Sequence, residues 1–216
     1  MAAIGFIGTG HVGAQVSRAV AAAGYDVVLS NARGPSSLGP LVAELGERAS
    51  AATVDDATTA AGLVVVAIPL GAFSSVPVAP LAGKAVIVTS NYNRGCEGPV
   101  PDLDSGQATV PGLLQARLPG AHVVRAFSHI SSAEITTDGR PAGTPHRRAL
   151  AIAGDDPAAK KAVAAIYDAV GFDTLDLGGL EEAWRVDRGQ PAFIAHLDLA
   201  ELKASVARAD RSCSGR

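Results

Sequence analysis

Three glycines near the start of the chain have the spacing of a phosphate-binding turn. Residues 8–13 read Gly-Thr-Gly-His-Val-Gly and lie between the apolar run 3–7 and an Ala-rich stretch. In a strand–turn–helix setting, Gly8 permits the tight turn, Gly10 leaves room for a pyrophosphate, and Gly13 lets the helix pack against the strand. Free N–H groups at the helix start would then face the phosphates. The setting predicts a dinucleotide site; an ordinary glycine turn before a helix is the alternative.

The end of the second predicted strand indicates which dinucleotide. NAD sites place Asp or Glu there, about 20 residues after the first glycine, to bind the ribose 2′-hydroxyl. Here no carboxylate follows residue 27 until Glu44, and the strand end carries Ser30, Asn31 and Arg33. These donors suit a 2′-phosphate, which a carboxylate would repel. The sequence therefore favours NADP(H) over NAD(H), although Arg33 could also be a solvated loop charge.

Other predicted strand ends should line the same cleft, because ligands of open α/β sheets bind at the carboxyl ends of the strands. Pro69 ends an apolar strand and would turn the chain across the cofactor. Asn91 can offer an amide to a ring carbonyl or simply lie in a turn. His129 is either a site residue or a satisfied structural histidine. The long segment 89–112, rich in Gly, Pro, Asn and Asp, is expected to be functional rather than disordered.

Short apolar runs alternate with Ala-rich stretches along the chain. Runs that are apolar at every position are typical of strands covered on both faces, which predicts a mainly parallel sheet between helices. The predicted strands are 3–7, 27–30, 63–68, 85–88, 122–127, 149–153 and 172–177, and the predicted helices are 12–23, 37–45, 55–61, 109–118 and 157–170.

Composition excludes several classes of protein. The chain has 216 residues, a net charge of −3 and 48% hydrophobic residues, which fits a folded domain and excludes a disordered chain. Aromatics make up only 4%, and there is no basic block, so a nucleic-acid binder is not expected. Cys96 and Cys213 match no metal or redox spacing, and the scattered histidines predict no metal site. The longest strongly apolar run, 63–70, is too short to span a membrane, and no basic leader precedes the first strand, which predicts a cytoplasmic protein.

The C-terminal residues after 178 do not follow the alternation of short apolar runs and Ala-rich stretches. We assign residues 1–179 to the dinucleotide-binding domain and 180–216 to a C-terminal helical extension. A short helix is predicted at 180–186 and a longer one from 191 to about 209. The second carries an apolar stripe that could pack on its own domain or form a subunit interface, and it consists of Phe193, Ile194, Leu197, Leu199, Leu202 and Val206.

No constellation for side-chain acid–base or nucleophilic catalysis is present. The sequence has no nucleophile elbow with a Ser-His-Asp order, no HExxH and no Tyr-x-x-x-Lys pair. Chemistry that needs little proton transfer by side chains is therefore favoured. Hydride transfer between two bound cofactors fits, since the protein mainly aligns the rings.

With these residues in view, the sequence resembles the NADPH-dependent F420 reductase family, the F420H2:NADP oxidoreductases. The resemblance extends over nearly the whole chain and is carried by residues 5–13, 27–35, 66–69, 91–94, 123–130, 151–156 and 184–193. It implies a Rossmann doubly wound domain with two extra strands, a short C-terminal helical part and a homodimer. NADP(H) and coenzyme F420 are the implied hydride partners. The form of the 91–112 loop is a departure from archaeal members.

The resemblance also implies roles for particular residues. NADP would be held by Gly8, Thr9, Gly10, His11, Val12, Gly13, Ser30, Asn31 and Arg33, with Ile68 and Pro69 beneath it. The acceptor pocket would be lined by Asn91, Tyr92, Ser128 and His129, of which His129 and Asn91 are the catalytic candidates. The anionic tail of F420 would need a basic groove, for which the candidates are Arg94, Arg125, Arg140, Arg147 and Arg148.

Two alternative functions remain open. The first is an NADPH-dependent reductase of a flavin, quinone, carbonyl or imine, for which Tyr92 or His129 would supply the proton for a carbonyl. The second is a non-catalytic NADP-sensing module that passes its nucleotide state to a partner through the C-terminal helix.

Overall fold

A computed structural model describes residues 3–211 of the chain. Its eight strands form one sheet in the order β3-β2-β1-β4-β5-β6-β7-β8, and every neighbouring pair is parallel except β6 and β7. The strands are β1 Ile4–Ile7, β2 Val27–Ser30, β3 Ala49–Ala51, β4 Leu63–Val66, β5 Ala85–Val88, β6 His122–Arg125, β7 Ala149–Gly154 and β8 Asp173–Asp176. The predicted Rossmann-like α/β fold with a mainly parallel sheet is confirmed.

Helices cover both faces of this sheet. They are α1 His11–Ala22, α2 Gly39–Leu45, α3 Val54–Ala60, α4 Arg94–Glu97, α5 Pro101–Asp104, α6 Val110–Arg117, α7 Pro157–Val170 and α8 Leu199–Ala207. Neighbouring residues of one strand belong to two different cores: Phe6 packs with α1 and α7, whereas Ile7 packs with α6. Because successive strand side chains point to opposite faces, both must be apolar, which explains the uninterrupted apolar runs.

Outside the segment 89–112, the third strand and the last helix differ from the prediction. Strand β3 was not predicted, because Ala-Ser-Ala is short and has little strand propensity. The last helix begins at Leu199 rather than at Pro191. The chain before it is irregular, with a positive φ of 52° at Ile194, and Asp198 starts the helix with a capping box.

The apolar stripe of the tail packs mostly within the domain. Leu202 is buried in a small cluster with Ala149 and Ala151 of β7, and Leu197, Leu199 and Val206 pack against that cluster. Ile194 remains 55% exposed. The division of the chain at residue 179 stays a prediction.

The segment 89–112 is more regular than predicted. It contains the single-turn helices α4 and α5 and the first turn of α6, which Thr109 caps. Cys96 is a free, exposed thiol in α4, whereas Cys213 lies outside the described residues. Within residues 3–211, no helix has the length and apolar character to cross a membrane.

Candidate functional site

The turn between β1 and α1 has the geometry that a pyrophosphate requires. Gly8 has a φ of +97°, and an added Cβ would lie 2.4 Å from the carbonyl oxygen of Ala67. A Cβ at Gly13 would lie 2.1 Å from the carbonyl oxygen of Gly8, so the helix packs against the turn only because this side chain is absent. Around Gly10, in contrast, nothing in the described chain lies within 4 Å of an added Cβ. The space needed by a phosphate is open at the middle glycine.

The start of α1 has no side-chain cap within the described chain. The N-cap residue is Gly10, and the first turn of the helix carries no acidic residue. The first N–H groups of a helix have no partner within the helix, so an anion can bind them. His11 is exposed on this turn, whereas Val12 is half-buried against the core.

The polar residues after β2 divide into two kinds. Ser30 is fully buried, and its hydroxyl donates to the carbonyl oxygen of Phe6 at 2.6 Å, so in this structure it does not face the cleft in which it was expected to bind the 2′-phosphate. Asn31 stays at the surface, where its Nδ2 donates to the hydroxyls of Thr9 at 3.3 Å and Ser37 at 3.0 Å. Its Oδ1 accepts from the backbone N–H of Arg33 at 2.9 Å.

The guanidinium of Arg33 has no hydrogen-bond or ion-pair partner within the described chain and is exposed. It lines a cavity of about 260 Å³ together with Thr9 and Ser37, and the ion pair of Arg18 and Glu44 lines the same cavity. An unpaired cation beside two hydroxyls at this position is suited to a phosphate dianion. Residue types and geometry thus agree at this end of the cleft.

Ile68 and Pro69 lie at the end of β4, beside the glycine turn. The side chain of Ile68 would lie 2.7 Å from a Cβ added to Gly8, and Pro69 is exposed. The Ser90 hydroxyl donates to the carbonyl oxygen of Ile68 at 2.6 Å and so joins the ends of β4 and β5. Ile68 and Pro69 are positioned to form an apolar floor for a nucleotide.

The ends of β5 and β6 are tied together by a buried arginine. Arg125 is 1% exposed, and its Nη2 donates to Oδ1 of Asn91 at 2.7 Å and to Oδ1 of Asp187 at 2.5 Å. Its Nε donates to the hydroxyl of Ser128 at 2.9 Å. The amide of Asn91 donates in turn to the carbonyl oxygen of Ser128 at 2.6 Å. Asn91 and Ser128 are therefore brought together as predicted, but they are bonded to each other and to Arg125.

His129 is a structural histidine in this fold. It is 2% exposed; the N–H of Ala151 donates to its Nε2 at 2.8 Å, and its Nδ1 lies 3.3 Å from the carbonyl oxygen of Ala192. Nδ1 therefore carries the hydrogen, and the neutral ring is satisfied on both sides. Burial lowers the pKa of His129 to about 4. No ring nitrogen is left for a substrate, which argues against the catalytic role considered for this residue.

Tyr92 organises the long loop. Its hydroxyl lies 2.9 Å from the carbonyl oxygen of Gly98 and 2.9 Å from Oδ1 of Asp104, and it accepts from the N–H of Val100 at 3.0 Å. Burial raises the pKa of the Tyr92 phenol, and the hydrogen bond to the Asp104 carboxylate raises it further. Both effects disfavour release of its proton.

A cavity of about 360 Å³ lies between this loop and the C-terminal segment. Tyr92, Trp184 and Asp187 form part of its wall, together with Arg211, whose guanidinium lies 4.9 Å from the centroid of the Trp184 ring. Asp187 connects the cavity, through Arg125, to Asn91 at the end of β5. The tail residues Trp184 and Asp187 were not predicted as site residues, because nothing in their local sequence signals a ligand.

The five arginines considered for a basic groove do not converge. Arg147 is buried between Asp168 and Asp173, and Arg148 is buried between Glu134 and Asp138. Arg125 is committed to the network described above. Of the remaining candidates, Arg94 is exposed beside the loop cavity, 3.7 Å from Asp104. Arg140 donates hydrogen bonds to carbonyl oxygens of its own loop.

Comparisons with known proteins agree with the fold and the glycine turn. Residues 3–92 match the family described as NADP oxidoreductase, coenzyme F420-dependent. This segment holds β1 to β5 and the turn. No curated protein matches the chain in sequence.

Solved structures resemble the chain over most of its length. SMa0349 from Sinorhizobium meliloti, a protein of unassigned function, is 27% identical with a TM-score of 0.79; the match covers 92% of this chain and 96% of that one. A protein from Arthrobacter sp. FB24 with the provisional name F420-dependent NADP reductase is 25% identical with a TM-score of 0.72, over 85% and 87% of the two chains. The reductive aminase from Aspergillus terreus, solved with NADPH, shares the fold at 18% identity and a TM-score of 0.59, over 84% of this chain and 56% of that one.

Together, the fold, the turn and these matches support an NAD(P)-dependent oxidoreductase of the Rossmann type. Within that class, the resemblance to the F420-dependent NADP oxidoreductase family is confirmed by the match to its model over residues 3–92 and by the Arthrobacter structure.

Proposed function

We propose that this protein binds NADP(H) on the glycine turn and exchanges hydride between the nicotinamide and coenzyme F420 or a similar deazaflavin or flavin acceptor. One observation carries the nucleotide part: the exposed Arg33 guanidinium has no partner among the described residues and lies beside the hydroxyls of Thr9 and Ser37. The family match, whose description names NADP, supports it.

The residues that would hold the nucleotide follow from the geometry. N–H groups at the start of α1 would bind the pyrophosphate above Gly10. Arg33 and Ser37 would bind the 2′-phosphate, with Asn31 holding the hydroxyls of Thr9 and Ser37 in place. When bound, NADPH would supply the hydride, or NADP⁺ would accept it in the reverse direction, and these residues would orient the adenosine and pyrophosphate parts of the nucleotide.

The acceptor part rests on what the far end of the cleft offers. Asn91, Ser128 and His129 have their polar side-chain atoms bonded within the protein, and the Tyr92 hydroxyl is held in its loop. A carbonyl or imine substrate needs a proton donor during hydride transfer. A ring acceptor that takes its proton from water does not, so a hydride carrier suits this site better.

We place the acceptor at the loop cavity lined by Tyr92, Trp184 and Asp187. Its volume of about 360 Å³ can take part of a planar ring system. Two exposed arginines border it, since Arg211 lines the cavity and Arg94 lies 3.7 Å from Asp104 in its wall. An anionic tail such as that of F420 would be attracted to this pair and repelled by Asp104 and Asp187, which also line the cavity.

Acceptor turnover tests this function directly. The purified protein is mixed with NADPH and oxidised F420, and the loss of the deazaflavin absorption band is followed, with NADH as the matched donor. We expect turnover with NADPH and much less with NADH. Turnover of FMN or of a ketone or imine, without turnover of F420, would contradict the acceptor proposed here. Nucleotide binding with no acceptor turnover would favour the sensing module.

Arg33→Ala tests the nucleotide part by calorimetry. Loss of a charge-assisted contact should weaken NADPH binding by about 2 kcal/mol or more and leave NADH binding nearly unchanged. Arg208→Ala, which removes an exposed arginine after α8, is the control and should alter neither affinity. Equal losses for both nucleotides would refute the assignment.

Filling the loop cavity tests the acceptor part. Ala108 lines it, so Ala108→Trp should raise the KM for F420 about tenfold or more, while the Kd for NADPH stays unchanged. Ala204→Trp, at an exposed position of α8, is the control of equal bulk. An unchanged KM for F420 in Ala108→Trp would remove the cavity from the acceptor site. The homodimer implied by the resemblance remains a prediction that light scattering can check.

A further inference from the structure

A second arginine faces the cavity in which the 2′-phosphate is proposed to bind. Arg18 lines this cavity of about 260 Å³ together with Arg33, Thr9 and Ser37. It also lines the neighbouring cavity above Gly10 and His11, so it stands between the two parts of the nucleotide cleft. Arg18 lies two turns into α1, on the same face as His11, because residues seven apart lie on one side of a helix.

Arg18 is held by a carboxylate from the neighbouring helix. Its Nε donates to Oε1 of Glu44 at 2.6 Å and its Nη2 donates to Oε2 at 2.8 Å, a two-point contact between α1 and α2. The side chain of Arg18 is 31% exposed and that of Glu44 is 51% exposed. The remaining nitrogen of Arg18, Nη1, donates to no residue in the described part of the chain.

Glu44 is the first carboxylate after β2 in the sequence. It lines the same cavity of about 260 Å³ as Arg18 and Arg33. The hydrogen bond from Arg18 lowers the pKa of the Glu44 carboxyl, so Glu44 is charged at neutral pH. The cavity therefore contains two cations and one anion. A phosphate dianion would be attracted by the arginines and repelled by Glu44.

We propose that Arg18 and Glu44 form a specificity-determining pair that sets how strongly the 2′-phosphate binds. Arg18 acts as a second cation for the phosphate beside Arg33, and Glu44 limits this attraction by holding the Arg18 guanidinium. This rests on the proposed NADP(H) site. Because the Arg18–Glu44 pair is neutral, the net charge of the cavity is +1, which is the charge of Arg33. Removal of Glu44 raises the net charge of the cavity to +2, so the strength of phosphate binding depends on this pair. Binding strong enough to discriminate against NAD(H), yet weak enough to release the oxidised nucleotide, is the expected consequence.

If the pair only linked α1 to α2, removing either residue should affect NADPH binding in the same way. The proposed role predicts opposite changes in NADPH affinity for the two single variants. Glu44→Gln should tighten NADPH binding about tenfold, because Arg18 is then free to reach the phosphate. Arg18→Gln should weaken it about tenfold or more, because an uncompensated carboxylate remains in the cavity. In the double variant the two effects should largely cancel. The Kd for NADH should change much less than the Kd for NADPH throughout, because NADH lacks the 2′-phosphate.

Calorimetric Kd values for NADPH and NADH, measured at low and high salt with the melting temperature of each variant, provide the test. An exposed pair contributes little to stability, so the melting temperatures should stay close to that of the wild type. Equal shifts for both nucleotides, or weaker NADPH binding in Glu44→Gln, would overturn the inference. If Arg33→Ala discriminates between the nucleotides but these variants do not, only the inference fails. If the wild type binds both nucleotides equally, both the inference and the proposed NADP(H) function fail.

Discussion

The two ends of the proposed cleft use their polar side chains in opposite ways. After β2, Arg33 is exposed and unpaired within the described chain, and Ser37 lines an open cavity beside it. At the ends of β5 and β6, Asn91 and Ser128 are bonded to the buried Arg125 and to each other. The first end is available to bind a charged group, whereas the second holds the sheet edge and the tail in a fixed arrangement. The contrast rests on Arg33, because the Ser37 hydroxyl is also bonded within the protein, to Asn31 and to the carbonyl oxygen of Gly34.

Removal of Arg125 is the largest expected perturbation at the closed end. Arg125→Met leaves the Asp187 carboxylate and the Asn91 amide without their partner, so the free energy of unfolding should fall by about 3–5 kcal/mol. Urea unfolding measures it. Arg94→Met is the matched control, since Arg94 is 61% exposed and 3.7 Å from Asp104, and it should cost less than about 1 kcal/mol. Similar costs for the two variants would show that the closed end is not held by this network.

This contrast also explains which parts of the site could be predicted from sequence. Gly8, Gly10 and Gly13 act through the backbone of one local turn, so their spacing and context suffice. One partner of Arg125 is Asp187 and one partner of His129 is Ala192, 62 and 63 residues further along the chain. No local pattern indicates that these tail residues return to the ends of β5 and β6.

Ser30 shows a second limit of the sequence. Its position at the strand end predicts a ligand contact, but the hydroxyl turns inward to the carbonyl oxygen of Phe6 on the adjacent strand. Residue type and strand end are readable from sequence, whereas the direction of one side chain depends on its neighbour in the sheet. The irregular stretch before Leu199 is a similar case, since the N–H of Ile194 donates to the carbonyl oxygen of His129 and the φ of 52° at Ile194 does not fit a right-handed helix.

The burial of His129 predicts a pH-dependent stability that an accessible catalytic histidine would not show. Its pKa falls from 6.5 to about 4 on folding. Between these values the unfolded chain binds a proton that the folded protein does not, so this contribution to stability is complete above pH 6.5 and is lost as the pH falls towards 4. At about 1.4 kcal/mol per pH unit, the loss is about 3 kcal/mol.

Urea unfolding at a series of pH values checks this expectation. His129→Gln retains an acceptor for the Ala151 N–H and should flatten the pH dependence, although its stability at neutral pH is lower. His122→Gln, which changes a histidine whose side chain is 43% exposed, should keep it. A wild-type stability that does not fall between pH 6.5 and 4 would contradict the buried, neutral imidazole.

A pair of glycine variants separates packing from ligand space at the open end. Gly13→Ala should destabilise the fold by about 3 kcal/mol, because its Cβ would lie 2.1 Å from the Gly8 carbonyl oxygen. Gly10→Ala should keep the wild-type melting temperature, since no described atom lies within 4 Å of its Cβ. It should still weaken NADPH binding by about 2 kcal/mol, because the pyrophosphate can no longer reach its N–H donors. Wild-type NADPH affinity in Gly10→Ala would exclude the turn as the phosphate site.

The smallest effects compare two serines that lie seven residues apart. Ser30→Ala removes a buried hydrogen bond to Phe6 and should lower the free energy of unfolding by about 1 kcal/mol without changing the NADPH to NADH affinity ratio. Ser37→Ala should do the reverse: stability is kept, and NADPH binding weakens by about 1 kcal/mol, about fivefold, with NADH unaffected. Unfolding curves and calorimetry on both variants measure the four values. If Ser30→Ala alters the affinity ratio and Ser37→Ala does not, then the buried hydroxyl reaches the ribose when nucleotide binds, and the division between inward and outward polar groups after β2 is wrong.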